Sequence, residues 1–287
     1  MSKHPRIHLV SYATGLYRHR QWFLSKSALA NGIVDTSTDW TPRRVGKAGF
    51  SDVAPDISLS ERGSGFWAWK PFIIARKLAS VPDGDIVFYC DAGRKYPYIR
   101  LSRPIDPLLA WMDEHNQDIL PGVELPWAGD MSVWTKRDAF VLTGMDVPSV
   151  HSTVPIQASF SLWRANPATR NFVDEWLSWC ARRDLVSDDN GITGTPEFNQ
   201  FRGHRHDQSL LTLCCINHGI EGLDLGINRP DFNERDPNQI LQYMKGSKRT
   251  ETTSGKHLAR ASYIVEKMEK WARSMFMFGQ FHEKLPK

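Results

Sequence analysis

The sequence predicts an α/β fold, with a mixed and mainly parallel sheet flanked by helices. The chain opens with an apolar segment, RIHLVSYA at residues 6–13, followed by a helical stretch through Trp22 to Leu29. Further on, an amphipathic stretch at 65–80 precedes IVFYC at 86–90, a short apolar run typical of a buried strand. Strands and helices that alternate in this way are typical of α/β domains.

The other elements are predicted in chain order from apolar periodicity and turn residues. Residues 35–64 are rich in polar residues, Pro and Gly, which predicts a long loop with at most short structure. Pro71 suits the first turn of the next helix, so Lys70 would directly precede it, and a loop is expected after the strand at 86–90. Helices are predicted at 106–116, 135–144, 167–184, 207–219 and 259–281, and a strand at 155–165.

Composition limits the classes of function. The chain has 287 residues with a formal net charge of +4, and this mild excess is spread along the sequence, which disfavours a nucleic-acid partner. We find no apolar run long enough for a signal peptide or a bilayer span, so a cytoplasmic location is expected. The four cysteines fall inside predicted elements and are expected to be reduced core thiols.

The last part of the chain has a different character. We assign residues 1–250 to one α/β domain and residues 251–287 to a basic C-terminal helix that mixes Lys and Arg with Met, Trp and Phe. Such a helix either covers the domain, which we favour, or lies on an anionic membrane at its inner face.

The stretch DGDIVFYCDAG contains three aspartates in different positions relative to the predicted strand. Asp83 and Asp85 precede it in a Pro-Asp-Gly-Asp turn, where turn formation explains them. Asp91 follows it, at the carboxyl end where open α/β sheets bind ligands. The small residues Ala92 and Gly93 let a ligand approach the backbone. Asp91 is thus a candidate to hold a divalent cation on a pyrophosphate, with an Asx-type turn as the alternative.

Two further segments carry polar residues near predicted helix starts. Lys70 precedes a helix, so its ammonium and the helix dipole are placed to act on one anion such as phosphate; packing between tryptophans is the alternative. The segment FRGHRHDQSLL gathers two His, two Arg, an Asp and a Gln before an apolar helix. Asp207 is explained as an N-cap, but the concentration of ionisable groups is more typical of a functional site.

Five segments together carry a family resemblance: GFWAWKPFII, DGDIVFYCDAG, TKRDAFVLTGMD, IQASFSL and RHDQSLL. On these, the chain resembles a group of bacterial glycosyltransferases of the GT-A fold, a Rossmann-like fold, associated with surface polysaccharide synthesis. The resemblance extends over residues 6–219 by element order. It implies transfer of a sugar from a nucleotide-sugar donor, in this family a UDP-sugar, to a glycan or lipid-linked acceptor.

The resemblance also implies roles on the donor side. Asp91 corresponds to the metal-side Asp of the family's Asp-x-Asp motif, which helps hold Mn²⁺ or Mg²⁺ on the diphosphate. Here the segment reads CDAG, without the second Asp, so metal dependence stays open. Lys70 would supply positive charge, and His257 would complete a metal site. Tyr12 would border the nucleotide base.

On the acceptor side, the family's Asp-Gln pair maps onto Asp207 and Gln208. Asp207 would be the general base for an acceptor hydroxyl, or a carboxylate that stabilises positive charge in the transition state. His206 and Arg205 would contact phosphate or acceptor. Gln157 would orient the sugar.

Two other classes of function compete with this one. The spacing of His204 and His206 is that of amidohydrolase-like metal sites, which suggests a metal-dependent hydrolase. Eleven tryptophans would also suit a non-catalytic carbohydrate-binding protein. Substitution of Asp91 or Asp207 separates these classes, because a binding module would lose affinity alone whereas a transferase would lose turnover.

Overall fold

The computed structural model describes residues 5–15, 17–93 and 100–282, with the backbone alone for 273 and 275–282. The loop predicted after the strand at 86–90 therefore falls largely outside the described residues, at 94–99. Within the described part, five strands form one sheet in the order β2-β1-β3-β7-β4, and β5 pairs with β6 in a separate ribbon. The strands are β1 (Ile7–Tyr12), β2 (Thr36–Trp40), β3 (Ile86–Cys90), β4 (Ile119–Leu120), β5 (Val123–Glu124), β6 (Ile156–Gln157) and β7 (Phe160–Arg164).

The sheet is mixed, as predicted. β1 runs parallel to β2 and to β3, whereas β7 runs antiparallel to both β3 and β4. β7 therefore opposes the other four strands, and the carboxyl ends of β1, β2 and β3 lie along one edge. That edge is where loops and helix N-termini converge in α/β proteins.

Helices surround the sheet, which confirms the predicted α/β class with a mixed sheet flanked by helices. A 3-10 turn forms at Pro126–Ala128. The helices are α1 (Tyr17–Ala30), α2 (Pro42–Lys47), α3 (Phe50–Val53), α4 (Gly63–Phe66), α5 (Trp69–Leu78), α6 (Asp106–Glu114), α7 (Met131–Trp134), α8 (Arg137–Leu142), α9 (Pro148–His151), α10 (Pro167–Cys180), α11 (Arg183–Val186), α12 (Asp207–His218), α13 (Pro237–Tyr243) and α14 (Thr253–His282).

Two apolar clusters fill the space on the two faces of the sheet. All of β3 is buried, and its side chains alternate, so that Val87 and Tyr89 join one cluster while Phe88 joins the other. The first cluster includes residues of α5, α10 and α12, and the second includes residues of α1, α6 and α13. Burial on both faces explains why β3 reads as a continuous apolar run. The four cysteines are buried, as predicted.

Two sequence-based assignments are refined by the structure. Residues 35–64, predicted as a long loop with at most short structure, contain the short helices α2 and α3 and the strand β2. β2 is half-buried, and its polar side chains bond to α1, as Ser37 does to Ser25. The strand predicted at 155–165 divides into β6 and β7 at Ala158 and Ser159, because its two halves pair in different sheets.

The C-terminal helix α14 begins earlier than predicted and packs along α1. At one end, Thr252 bonds to Asn31 and to the carbonyl of Ala30. At the other end, Glu269 pairs with Arg20 at 3.0 Å. The two helices therefore run in opposite directions. Within the described residues, no helix combines the length and apolar character needed to cross a membrane.

Candidate functional site

A cavity of about 430 Å³ lies at the carboxyl edge of the sheet. Three residues predicted to bind the donor line it: Tyr12, the last residue of β1, and Asp91 and Gly93, which follow β3. Other lining residues were not predicted and include Tyr17, Glu61, Ser64, Trp67, Trp69 and Arg235. The rule that ligands bind beyond the carboxyl ends of parallel strands thus agrees with the position of the cavity.

One wall of the cavity is aromatic. The rings of Tyr12 and Trp69 stack with centroids 3.8 Å apart and planes 19° apart. Burial raises the pKa of Tyr12 above its ordinary value, so this side chain stays neutral. The two rings are 7% and 3% exposed, so they give the cavity a rigid aromatic wall against which the apolar part of a ligand can pack.

Asp91 is held in place from two directions. Its backbone N–H donates to the carbonyl of Ser159 at 2.8 Å, and the hydroxyl of Tyr89 donates to its Oδ1. Burial, reinforced by the charge of Asp91, raises the pKa of Tyr89 well above its ordinary value. Tyr89 therefore remains a proton donor at any physiological pH and orients the Asp91 carboxylate at the cavity.

A buried ion pair lies behind this wall of the cavity. Lys70 Nζ is 2.6 Å from Asp207 Oδ2, donates to the carbonyl of Ala158 at 2.8 Å, and lies 5.3 Å from the ring centroid of Tyr89. Lys70 and Asp207 are each 4% exposed. Burial raises the pKa of Asp207 to about 6 although Lys70 opposes the shift, while Asp207 raises the pKa of Lys70 against its own burial. Neither residue lines the cavity.

These contacts correct two predictions. Lys70 does not precede its helix: α5 begins at Trp69, and the Lys70 ammonium is directed at Asp207 and a carbonyl rather than at the cavity. Asp207 is not the N-cap of α12; that position is His206, which has a positive φ of 52°. Asp207 does not cap the helix because its side chain forms an ion pair with Lys70, a residue of another helix.

The two histidines are buried in a packed environment. The His206 ring lies 5.4 Å from those of Phe66 and Trp67, and its Nδ1 is 2.8 Å from the carbonyl of Val186. His204 Nδ1 accepts from the N–H of Lys136. Burial lowers the pKa of both rings, so both are neutral. Among the described residues, no group of three or more His, Cys, Asp or Glu is placed to hold a metal, so the hydrolase gains no support.

The remaining predicted residues lie away from the cavity. Gln157 and Gln208 are buried in β6 and α12, and neither lines it. Arg205 is exposed, with its guanidinium 4.0 Å from the ring centroid of Trp134. His257 lines a different cavity between α1 and α14. The structure therefore does not bring His257 together with Asp91, because α14 packs along α1 rather than over the carboxyl edge.

A left-handed segment forms part of the cavity wall and was not predicted. Residues 63–67 all have positive φ, including Ser64 at 57°, Phe66 at 53° and Trp67 at 59°. A run of this kind is costly for residues other than glycine and persists where the surroundings enforce it. It brings Ser64 and Trp67 to the cavity. The two glycines of GSGFW are the sequence signal that indicates it.

Substitution of Gly65 tests how tightly this segment is held. Gly65 has φ +85°, and an added Cβ would lie 2.7 Å from Ile57 Cγ2 and 3.1 Å from the Ser58 carbonyl. Gly84 is a matched control, with φ +88° and nothing within 4 Å. In both Ala variants the left-handed backbone should lower the free energy of unfolding by about 1–2 kcal/mol. In Gly65→Ala, overpacking should lower it by about 1–3 kcal/mol more, as measured by chemical denaturation. Equal losses would contradict the tight packing.

Comparisons with family models, with curated proteins and with solved structures return no match to this chain. The fold and the site define the protein as an α/β protein with a cavity at the carboxyl edge of a mixed sheet. An oriented carboxylate, that of Asp91, and stacked aromatic rings line this cavity, and the ion pair of Lys70 and Asp207 lies behind it. Concave, largely apolar cavities with a few oriented polar groups are typical of small-molecule sites.

Proposed function

We propose that this protein is a glycosyltransferase with a GT-A-like fold, which transfers a sugar from a nucleotide-sugar donor to a glycan or lipid-linked acceptor. One observation carries the proposal. Lys70, Asp91 and Asp207 belong to three separate segments, each of which contributes to the family resemblance. Lys70 and Asp207 form a buried pair, and Asp91 is joined to Tyr89, whose ring lies over Lys70.

The cavity has the character expected of a donor site. Its volume of about 430 Å³ falls in the range of small-molecule pockets, roughly 300–1,000 Å³. Tyr12 and Trp69 form an aromatic wall, Gly93 allows close approach to the backbone, and Arg235 brings a cation that suits a diphosphate. A UDP-sugar is the donor that we propose, on the resemblance.

The family resemblance implies a divalent cation, and the residues that line the cavity limit how it could be held. Asp91 and Glu61 are the carboxylates among the described residues that line the cavity, and Glu61 is already paired with Arg183 at 2.8 Å. The described residues form no cluster of three metal ligands. This does not fit a resident metal centre. It does fit Mg²⁺ or Mn²⁺ carried in with the diphosphate, since such cations are commonly held by one or two carboxylates together with substrate phosphates.

Asp207 takes a different role from the one implied by the family. Because its carboxylate is buried against Lys70, we assign it as a positioning residue rather than a base in contact with the acceptor. The pair places a fixed cation beneath the Tyr89 ring, and Tyr89 in turn orients Asp91. Fixed dipoles and charges of this kind cost no reorganisation when the ligand reacts.

A thermal-shift titration tests the donor class. The purified protein is melted with UDP, GDP and CMP, each with and without Mn²⁺. A ligand that binds the native state alone raises Tm by mass action. We expect UDP alone among the three nucleotides to raise Tm, and Mn²⁺ to increase this rise further. The increase due to Mn²⁺ should disappear in Asp91→Asn. Asp85→Asn, at the other end of β3, should show the same rise as wild type both with and without Mn²⁺. If no nucleotide raises Tm while Zn²⁺ alone does, the transferase proposal fails.

A further inference from the structure

We propose that the outward face of α14 docks onto an anionic lipid bilayer. This face is defined by an apolar stripe, Ile264, Met268 and Trp271, and by the adjacent bases Arg260 and Lys267. The inference goes beyond the proposed function and does not depend on it, because vesicle binding requires no nucleotide.

The apolar stripe follows the period of the helix. Ile264, Met268 and Trp271 are spaced by four and three residues, so they lie on one face. Their exposed fractions are 51%, 63% and 65%, and Tyr263 beside them is 55% exposed. Large apolar side chains exposed together on one helix face indicate an interaction surface. Trp and Tyr are the residues enriched where proteins meet the headgroup region of a bilayer.

Among the side chains of α14 that the structure describes, charges are segregated between the two sides of the helix. Glu269 is directed at α1, where it pairs with Arg20 and His19, and Glu266 pairs with Lys270 with a side chain 15% exposed. Arg260 and Lys267 fall beside the apolar stripe by helical period and are on the solvent side. The outward face therefore presents positive charge around an apolar centre, the pattern of helices that lie in the interface of anionic membranes. A second copy of this face would meet like charge.

The same surface continues onto α1. Trp22 is 45% exposed and Leu29 is 38% exposed, and both line a cavity with Lys26, His257 and Leu258 of α14. Two antiparallel helices thus share one apolar and basic surface. An apolar and basic surface that extends over two helices matches the interface of an anionic bilayer.

The inward side of α14, opposite the docking face, is linked to the candidate donor cavity through Arg20. Arg20 pairs with Glu269 of α14 and donates to the carbonyl of Gly93 at 3.0 Å, and Gly93 lines the cavity. Docking through α14 would therefore hold the cavity close to the membrane surface. Under the proposed function, a lipid-linked acceptor would be presented at that surface.

Vesicle flotation tests the proposal with the full chain. Vesicles of phosphatidylcholine alone are compared with vesicles that also contain phosphatidylglycerol. Wild type should float with the anionic vesicles alone, and added salt should weaken the binding, since screening shortens the range of the attraction. Two double variants test the two components of the face: Met268→Ser/Trp271→Ser and Arg260→Glu/Lys267→Glu. Each should bind anionic vesicles at least about ten-fold more weakly than wild type.

Matched controls separate docking from general effects. Ile192→Ser removes a side chain that is 68% exposed elsewhere, and Arg43→Glu reverses an exposed charge in α2; both should bind vesicles like wild type. All variants should melt at the wild-type temperature. Absence of flotation, equal binding to neutral vesicles, equal loss in the controls, or dimerisation that requires Trp271 instead would each overturn the proposal. If the protein binds anionic vesicles but none of the nucleotides, the docking proposal is supported and the proposed function is not.

Discussion

Lys70→Met is expected to lower the free energy of unfolding by about 3–5 kcal/mol at pH 7 to 8, because it leaves the Asp207 carboxylate buried without its cation. The two side chains are 2.6 Å apart and each residue is 4% exposed, so water cannot replace the lost partner without opening the core. Equilibrium denaturation in urea measures the loss. Arg182→Met, which breaks an exposed pair with Asp184, is the control and should lose less than about 1 kcal/mol.

The pH dependence of this loss has a defined sign. The pKa of Asp207 in the folded protein, about 6, lies above its ordinary value, so the folded state takes up a proton more readily than the unfolded state. The stability that this group contributes is present at acid pH and is lost as pH rises towards 6. Without Lys70 the pKa rises further, so the difference between Lys70→Met and wild type should shrink from pH 7 to pH 5. A loss that is constant with pH would contradict this.

Replacing both partners supplies a second check. Lys70→Met/Asp207→Leu removes both charges of this pair, and buried pairs exchanged for apolar residues of similar volume are often neutral in stability. We expect this double variant to recover most of the stability lost in Lys70→Met. If the double variant is as unstable as the single one, packing rather than the ion pair is what Lys70 contributes.

The carboxyl end of β3 could be predicted from sequence because local signals determine it. A continuous apolar run followed by Asp-Ala-Gly indicates where the strand ends, and the strand-end rule then places Asp91 and Gly93 at a ligand site. Tyr12 follows from the same reasoning on β1. These three residues lie at or just after the end of a strand, so identifying the strand from its local sequence is enough to place them.

The pairing of Lys70 with Asp207 could not be derived in the same way. Each residue has a sufficient local explanation, as a helix-start cation and as an N-cap, and their contact depends on how α5 and α12 pack on the sheet. His257 shows the opposite case, in which chemical type suggested a metal ligand but α14 packs elsewhere. β2 was not identified as a strand because four of its five residues are polar, so its sequence shows no alternation of apolar and polar residues. Its polar side chains bond to α1 instead of facing water, as Ser37 does to Ser25.

Asp91→Asn is expected to lower kcat/KM for sugar transfer by about 10²–10³-fold, measured with the donor that the thermal shifts identify. The carboxylate is aimed by Tyr89 at a cavity that we propose binds a diphosphate with its cation, so the amide would keep the shape of the site and lose the charge. The substitution should leave the melting temperature of the free protein within a few degrees, because Asp91 is only partly buried and asparagine still accepts the Tyr89 hydrogen bond.

Asp85→Asn is the matched control for this loss of turnover. Asp85 lies just before β3, bonded to His8 and to the N–H of Arg6, and faces away from the candidate site along the same strand. Its amide variant should turn over within about two-fold of wild type, since the charge it removes lies at the opposite edge of the sheet. If Asp91→Asn binds nucleotide more weakly but wild type shows no transfer with any acceptor, the cavity belongs to a binding protein. If both variants lose turnover equally, charge at this cavity is not what the reaction requires.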